Sequence, residues 1–416
     1  MLRNIAVVGA GIGGLCSALA LVKQGFKVTV YEQAAALSEV GAGLQLSPNA
    51  MQVLKQLGLA APLSPYVFRP QNAVMRHYKS GKNYFSVPLG ETCLQQFGAE
   101  YWHVHRADLH HVLYQACMQN QVNLKLNSPI STYVHGEDNH SVDVVLNDAE
   151  KIQYDLVIGA DGIHSKIQTT LSHNLGLSSK PRFTGQVAWR GTVKTKDLPP
   201  NLVEPNANLW VGPGKHFVSY YLRGGEEVNF VAVEERTNWQ QESWSQQGDI
   251  AKLRGQFVGW HPHVQEILAA THKTFLWALH DREPLTSWVD KNVTLLGDAC
   301  HPMLPFLAQG AAMAIEDAYV LAALLKTQQD TPTALQQYQR LRLGRTRSIQ
   351  LNARQNASLY HMSSALERAK LKVLAALSGS GISSFLARKK LQHIYGHNVV
   401  KNMESLATST SHSVKV

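Results

Sequence analysis

Ile5-Ala-Val-Val8, Gly9-Ala-Gly11-Ile-Gly13-Gly14 and Leu15 to Lys23 follow one another near the start of the chain, and Gly25, Phe26-Lys-Val-Thr-Val-Tyr31 and Glu32 come directly after. The order reads as strand, glycine turn, Ala/Leu-rich helix, second strand and terminal acid, the βαβ fingerprint of a dinucleotide site. Gly9 allows the tight turn, Gly11 lets the backbone approach a pyrophosphate, and Gly14 lets the helix press against the strand. The helix N-terminus offers unpaired N–H groups and a positive dipole end to the phosphates. Glu32, followed by Gln33, is placed to accept hydrogen bonds from an adenosine ribose. A glycine loop alone could be a structural turn, but with its strands, helix and acid it predicts a nucleotide site.

Working outward, 416 residues suffice for a large core and two structural regions. An apolar fraction of 44% with 17% charged residues is that of a globular chain and argues against disorder. No run of about 18 apolar residues exists, so no membrane span is expected. The apolar stretch after Arg3 imitates a signal peptide, but the fingerprint accounts for it. Cys16, Cys93, Cys117 and Cys300 are scattered without a C-x-x-C pair, which fits a reducing, cytoplasmic setting. The formal charge of +9 favours anionic partners without choosing among nucleic acid, membrane surface and small carboxylates.

Two more apolar strands end in acid-bearing turns. Tyr154-Asp-Leu-Val-Ile158 runs into Gly159-Ala-Asp161-Gly162, and Asn292-Val-Thr-Leu-Leu296 runs into Gly297-Asp298. Ligands of open α/β sheets bind beyond the carboxyl ends of strands, so the three turns could converge on one extended cofactor. Between them, Gly185 to Val233 changes to alternating strands and tight turns, the pattern of an antiparallel sheet. The expected fold is therefore α/β, a discontinuous Rossmann-type domain (residues 1–180 and 281–355) with an inserted antiparallel domain (181–280). The hairpin 72–88 is expected to join the insert. A helical C-terminus (356–403) and a disordered Ser/Thr-rich tail from Glu404 complete the chain. Gly379-Ser-Gly381-Ile-Ser-Ser384 follows a helical run rather than a strand and reads as a helix break.

With these motifs in place the chain resembles the single-component FAD-dependent aromatic hydroxylases. These are the group around para-hydroxybenzoate hydroxylase, especially its salicylate, 3-hydroxybenzoate and 6-hydroxynicotinate branch. The resemblance spans nearly the whole chain. It rests on the fingerprint, Glu39-Val-Gly-Ala-Gly43, His105-Arg-Ala-Asp-Leu109, the Asp155 to Ser165 stretch, and Leu296-Gly-Asp-Ala-Cys-His-Pro302 with Gln309-Gly310. It implies that Gly9, Gly11, Gly13, Gly14, Glu32 and Gln33 hold the adenosine end of FAD and that Arg106 sits over the pyrophosphate. It also implies that Asp161 lies between the phosphates and the nicotinamide approach, Asp298 holds the ribityl or phosphate part, and Gly43 and Gln45 line the isoalloxazine. The helix starting at Gly310 and Ala311 would aim its N-terminus at the flavin N1/C2=O edge, where its dipole would stabilise reduced flavin.

The activity implied is hydroxylation of a small hydroxylated aromatic carboxylate, of salicylate or 3-hydroxybenzoate type, by way of a flavin C4a-hydroperoxide, with NADH or NADPH as reductant and O₂ as co-substrate. A 6-hydroxynicotinate-type heteroaromatic is the alternative substrate, and an NAD-dependent dehydrogenase the alternative outside the class. The dehydrogenase would leave the Asp161 and Asp298 turns without a role. A halogenase would need a G-W-x-W-x-I-P stretch, which Gly259-Trp-His-Pro262 does not match.

A phenol reacts best as phenolate, so a base near its hydroxyl is needed, and His216 is the candidate. Strand alternation puts Val218 and Tyr220 on its face. The alternative is a histidine satisfied by the Gly212–Gly214 turn. Arg190 could anchor a carboxylate bidentately or brace the domain interface. Pro305 and Phe306 are expected at the flavin's reactive side. His103, His105, His110 and His111 diverge between strand and helix, so no metal is expected. The Arg340, Arg342, Arg345, Arg347 and Arg354 stripe reads as a solvated helix face rather than a nucleic-acid surface. A monomer or homodimer is expected.

Overall fold

The computed structural model describes residues 3–37, 43–137, 140–178, 180–236, 247–328, 330–362, 364–377 and 391–413. The Gly379–Ser384 stretch and most of Glu39–Gly43 lie outside these residues.

The first strand, Asn4–Val8, forms the middle of a six-stranded sheet because four of its five residues are apolar and fully buried. It pairs in parallel with Lys27–Tyr31 on one side and Leu156–Gly159 on the other. Val293–Leu295 continues the parallel set beyond Leu156–Gly159. The three turns read from the sequence therefore leave the same edge of one sheet. The second apolar strand starts two residues later than the sequence pattern suggests. Tyr154 ends a separate antiparallel strand, Lys151–Tyr154, and Asp155 separates it from the central sheet.

The helix Ile12–Lys23 packs on this sheet closely enough to require its glycines. A Cβ on Gly14 would stand 1.9 Å from the Gly9 carbonyl oxygen, and one on Gly13 2.8 Å from Leu296 Cδ2 and 3.2 Å from Ala314 Cβ. The first helix thus lies against the helix Gly310–Thr327, which carries Ala314.

The inserted region is a seven-stranded sheet in the order Phe275–Asp281, Arg182–Lys194, Glu227–Glu235, Lys215–Leu222, Ala207–Gly212, Asn72–His77, Asn83–Pro88. Its pairs are antiparallel except one. Ala207–Gly212 runs parallel to Asn72–His77, which is how the hairpin from the first part of the chain is incorporated. Side-chain alternation gives the sheet two apolar faces. Val187, Trp189, Phe217 and Phe230 pack outward under Leu253, Phe257, Val264 and Ile267. Ala188, Val233, Trp277 and Leu279 pack inward on Leu304, Phe306, Ala353 and Ala357.

Two expectations need correction. The arginine stripe is only partly a solvated face: Arg340 and Arg347 are exposed, but the other three arginines are paired. Arg342 is 1% and Arg345 9% exposed; Arg342 meets the fully buried Glu316 and Asp317 of the Gly310–Thr327 helix, and Arg345 meets Glu316. Arg354 pairs with Asp281 and Glu283. The sequence pattern of the Thr331–Tyr360 helix looked polar because its inward face is lined with charges that carry their own counter-charges. Glu404 to Ser413 lie within a helix, Val399–Ser413, anchored by the buried Val399, Val400 and Met403, and the last three residues lie outside the described residues. Among the described residues no helix is long and apolar enough to cross a membrane.

Burial alone would raise the Glu316 pKa, but Arg342 and Arg345 hold it at about 2. A depressed folded-state pKa means that the stabilisation is full above the ordinary carboxylate range and fades as pH falls toward about 2. Arg342→Leu leaves two buried carboxylates short of a cation and is expected to cost about 3–5 kcal/mol at neutral pH. Urea unfolding at stepped pH measures it, and the gap between variant and parent should narrow below about pH 4.

Candidate active site

The glycine cradle has the shape a pyrophosphate needs. Gly9 has φ +101°, and a Cβ on it would stand 2.5 Å from the Ala160 carbonyl oxygen, whereas one on Gly11 would meet nothing within 4 Å. No side chain caps the Ile12–Lys23 helix and its first turn carries no acid, so its N-terminal N–H groups face open space at Gly11. Glu32 accepts from Ala10 N at 2.8 Å and from Ala34 N at 2.9 Å, which fixes its carboxylate at the end of the second strand. Gln33 is exposed beside it.

The Asp161 carboxylate serves its own turn. It accepts from Ser165 Oγ at 2.5 Å and from Lys166 N at 2.7 Å, capping the helix Lys166–Asn174. Burial raises its pKa, and these hydrogen bonds oppose the rise. Asp298 is exposed instead. It lines a cleft of about 490 Å³ with Ile163, His164, Trp277 to His280 and Pro302 to Pro305, and it feels the charge of Arg106. Asp298 thus lies near Arg106 and shares a cleft with the turn after the second apolar strand. A second hollow, at Lys194–Lys196, Glu226 and Glu227, holds none of the site residues.

The Gly310–Thr327 helix begins without a side-chain cap and without an acid in its first turn, so its positive end is open at Gly310 and Ala311. Gln309, just before it, gives Nε2 to Ser47 Oγ at 2.9 Å and accepts from Asn49 Nδ2 at 3.1 Å. The Gly43 strand is drawn to the same place. Gly43 N donates to Asn229 Oδ1 at 2.8 Å, and a Cβ on Gly43 would sit 2.6 Å from the Tyr220 ring. Gln45 accepts from Tyr101 Oη at 2.6 Å.

On the inward face of the seven-stranded sheet, His216 is 2% and Tyr220 3% exposed, an even number of residues apart along one strand and so on the same side. Tyr220 packs against His103, with ring centroids 4.5 Å apart, and Arg190 is close enough to influence its hydroxyl. The Arg190 guanidinium carbon lies 3.4 Å from the centroid of the Trp277 ring, a close cation–π contact. Pro305 and Phe306 diverge: Pro305 lines the cleft, while Phe306 meets the His216 ring edge-on at 4.9 Å.

His216 is not satisfied by the Gly212–Gly214 turn. Its Nδ1 lies 2.8 Å from His361 Nε2, and burial, then the neighbouring His361, pulls its pKa well below 6.5. His361 and Tyr360 are residues the sequence reading missed. They end a helix 145 positions along the chain from His216, and no local motif marks them. Arg282 was missed for the same reason. It is 2% exposed and donates Nη2 to Ile163 O at 2.7 Å, while its Nε and Nη1 find no acceptor among the described residues. A buried cation with unanswered N–H groups behind the Asp161 turn suits an anionic ligand.

The four clustered histidines do diverge. His105 Nδ1 accepts from Ala107 N, His110 Nε2 meets Ala10 O at 2.7 Å, and His103 packs on Tyr220 with its pKa pushed down to about 3 by burial. Elsewhere, donor atoms of Cys300, His301 and Asp317 lie within 4.8 Å of one another. There Asp317 already takes His301 Nε2 at 2.5 Å and Arg342 Nε at 2.7 Å.

Comparison with known proteins shows the family to which this arrangement belongs. The family model described as an FAD binding domain matches residues 3–352. The 3-amino-4-hydroxybenzoate 2-monooxygenase PtnB3 of Streptomyces platensis is 37% identical over 360 residues, 86% of this chain and 89% of that protein. The 3-hydroxybenzoate 6-hydroxylase of Polaromonas naphthalenivorans (strain CJ2) is 36% identical over 359 residues, 86% of this chain and 88% of its own. Among solved structures, Klebsiella pneumoniae HpxO complexed with FAD and uric acid superposes with a TM-score of 0.80 at 27% identity, covering 92% of this chain and 95% of that one. The chain belongs to the FAD-binding-domain family and, within it, to the single-component FAD-dependent aromatic monooxygenases.

Proposed function

We propose that this protein hydroxylates a small phenolic aromatic carboxylate of the 3-hydroxybenzoate type, with NADH or NADPH as reductant and O₂ as the second substrate. The observation that carries the reading is one sheet face. It presents a buried imidazole, His216, and a buried guanidinium, Arg190, toward the same interior. A base for a phenol and a cation for a carboxylate are what such a substrate requires.

FAD, when bound, would supply the activation of O₂, one atom of which goes to the substrate. Gly9, Gly11, Gly13, Gly14 and Glu32 would hold its adenosine and pyrophosphate, with Arg106 and Asp298 further along and Gly43, Gln45, Gly310 and Ala311 around its ring. His216 would take the proton from the substrate hydroxyl and so raise the electron density of the ring to be attacked. Arg190, steadied on the Trp277 face, would orient the carboxylate. Tyr220, held over Gly43, would wall the pocket, and Phe306 would exclude water from His216.

The four cysteines, all free and buried, fit a reducing cytoplasm. Burial leaves the Cys16, Cys93, Cys117 and Cys300 thiols protonated, each with its pKa raised. They are unsuited to covalent catalysis.

The reading is tested by purifying the yellow protein and following NADH and NADPH oxidation against hydroxybenzoates and hydroxynicotinates, with hydroxylated product and peroxide measured alongside. Product from a hydroxynicotinate alone would replace the benzoate reading, and absence of bound flavin would end it. His216→Ala is expected to lower product formation at least about 100-fold with FAD still bound. Because the His216 pKa is depressed, its neutral, proton-accepting form persists as pH falls. The acid limb of kcat/KM attributable to it should therefore lie below pH 6.5. Glu32→Ala should weaken FAD binding by about 10-fold or more, measured by flavin fluorescence on release.

A further inference from the structure

His216 is sealed in the interior, 2% exposed, so a proton it removes from a ligand needs a way out. The structure contains one continuous file of hydrogen-bonding atoms leading from it. His216 Nδ1 is 2.8 Å from His361 Nε2, and His361 Nδ1 is 2.9 Å from Glu235 Oε1. The His361 side chain is fully buried, while that of Glu235 is 49% exposed. The file therefore starts in the interior and ends in water.

The backbone fixes its members. Gly214 N donates to the His361 carbonyl at 2.8 Å, and Glu235 N donates to the Gly214 carbonyl at 3.0 Å, so one turn ties both outer members to the strand that begins at Lys215. Gly214, at φ +65°, adopts the left-handed conformation that makes this turn possible.

We propose that His361 and Glu235 form a proton relay that holds His216 in a single tautomer and connects it to solvent, a role that rests on His216 being the base. The tautomers follow from donor and acceptor counting. The Glu235 carboxylate can only accept, so His361 donates from Nδ1 and is left with Nε2 as an acceptor. His216 must then donate from Nδ1, which leaves its Nε2 as the proton-accepting atom. On deprotonation the substrate O–H bond breaks and the proton joins His216 Nε2. The Nδ1 proton of His216 passes to His361 Nε2, and the Nδ1 proton of His361 passes to Glu235. Glu235 exchanges the proton with water. The reverse sequence, starting from water at Glu235, reprotonates the product oxygen and restores the first tautomers. No electrons are exchanged. His361 and Glu235 act through His216 and are positioning residues.

The relay can be examined in the FAD-loaded protein without a substrate. Nitrogen-15 NMR of histidine-labelled enzyme should show His216 and His361 each protonated at Nδ1 only, with mixed tautomers at His216 in Glu235→Gln and His361→Gln. A wild-type His216 protonated at Nε2 would overturn the relay. In the second arm, 3-hydroxybenzoate is mixed rapidly with enzyme in weak buffer and a dye reports the proton released. Glu235→Gln and His361→Gln should slow release at least about 10-fold with ligand affinity held within about 3-fold, and Glu235→Asp should restore the rate. Release as fast as the parent in both glutamine variants, with His216→Ala silent, would remove the relay and leave His216 as the base. Unchanged release and turnover in His216→Ala would remove the base itself, and the relay with it.

Discussion

Two carboxylates and two guanidinium groups, all in the interior, hold this molecule in register. Glu316 and Asp317 sit side by side on the Gly310–Thr327 helix, and Arg342 and Arg345 reach them from the Thr331–Tyr360 helix. Burying four charges costs solvation that pairing and hydrogen bonding must offset, so such a network is more convincing as a device for geometry than as a source of stability. Each partner is multiply bonded. Asp317 also accepts from Gly297 N at 3.2 Å and from His301, and Glu316 also accepts from Asn49 Nδ2 at 2.7 Å. The network therefore joins the third acid-bearing turn, the helix after Ser47 and the C-terminal helices to one helix. That helix is the one whose open N-terminus faces the site proposed for the flavin ring.

The seven-stranded sheet is the other half of the design. Its outward face is a conventional apolar layer under two short helices. Its inward face mixes apolar residues with Arg190, His216 and Tyr220, and the polar members have the neighbours their chemistry requires: a tryptophan face, a second histidine and a glycine that leaves room for the ring. The sheet reaches the cofactor side through Gly43, whose amide is held by Asn229 from the strand Glu227–Glu235. The Gly43 strand and the inserted sheet are thus joined by a hydrogen bond from a backbone amide to a side chain.

Much of this was legible because the signals were local. The Gly9–Glu32 unit is contiguous, its periodicities switch from strand to helix and back, and Gly9, Gly13 and Gly14 each have a steric reason seen in the structure. Alternation along Lys215–Leu222 correctly put His216 and Tyr220 on one face. What escaped was relational. The Arg342 and Arg345 stripe looks solvated until Glu316 and Asp317 are brought beside it, and a polar helix face has the same composition whether it meets water or counter-charges. His361, Tyr360 and Arg282 sit in no motif, and their partners are fixed only by tertiary packing. The C-terminal Ser/Thr-rich stretch misled in another way: its composition suggested disorder, but Val399, Val400 and Met403 just before it are buried and start a helix that runs through it.

The first strand lies in the middle of its sheet. Its neighbour Ile5↔Leu156 is some 150 residues away in sequence, and the next parallel strand, paired through Val157↔Val293, is almost twice as far. A strand that precedes all its partners in the chain is therefore among the last to be enclosed. Such distant pairings are slow to form because the intervening chain must be ordered before the contact is gained. Until Val293 emerges, the apolar strand Leu156–Gly159 has an unpaired edge, while the inserted sheet, whose longest strands pair within residues 182–281, can already assemble. Discontinuity thus imposes an order on biogenesis, with the seven-stranded sheet complete before the parallel sheet can close.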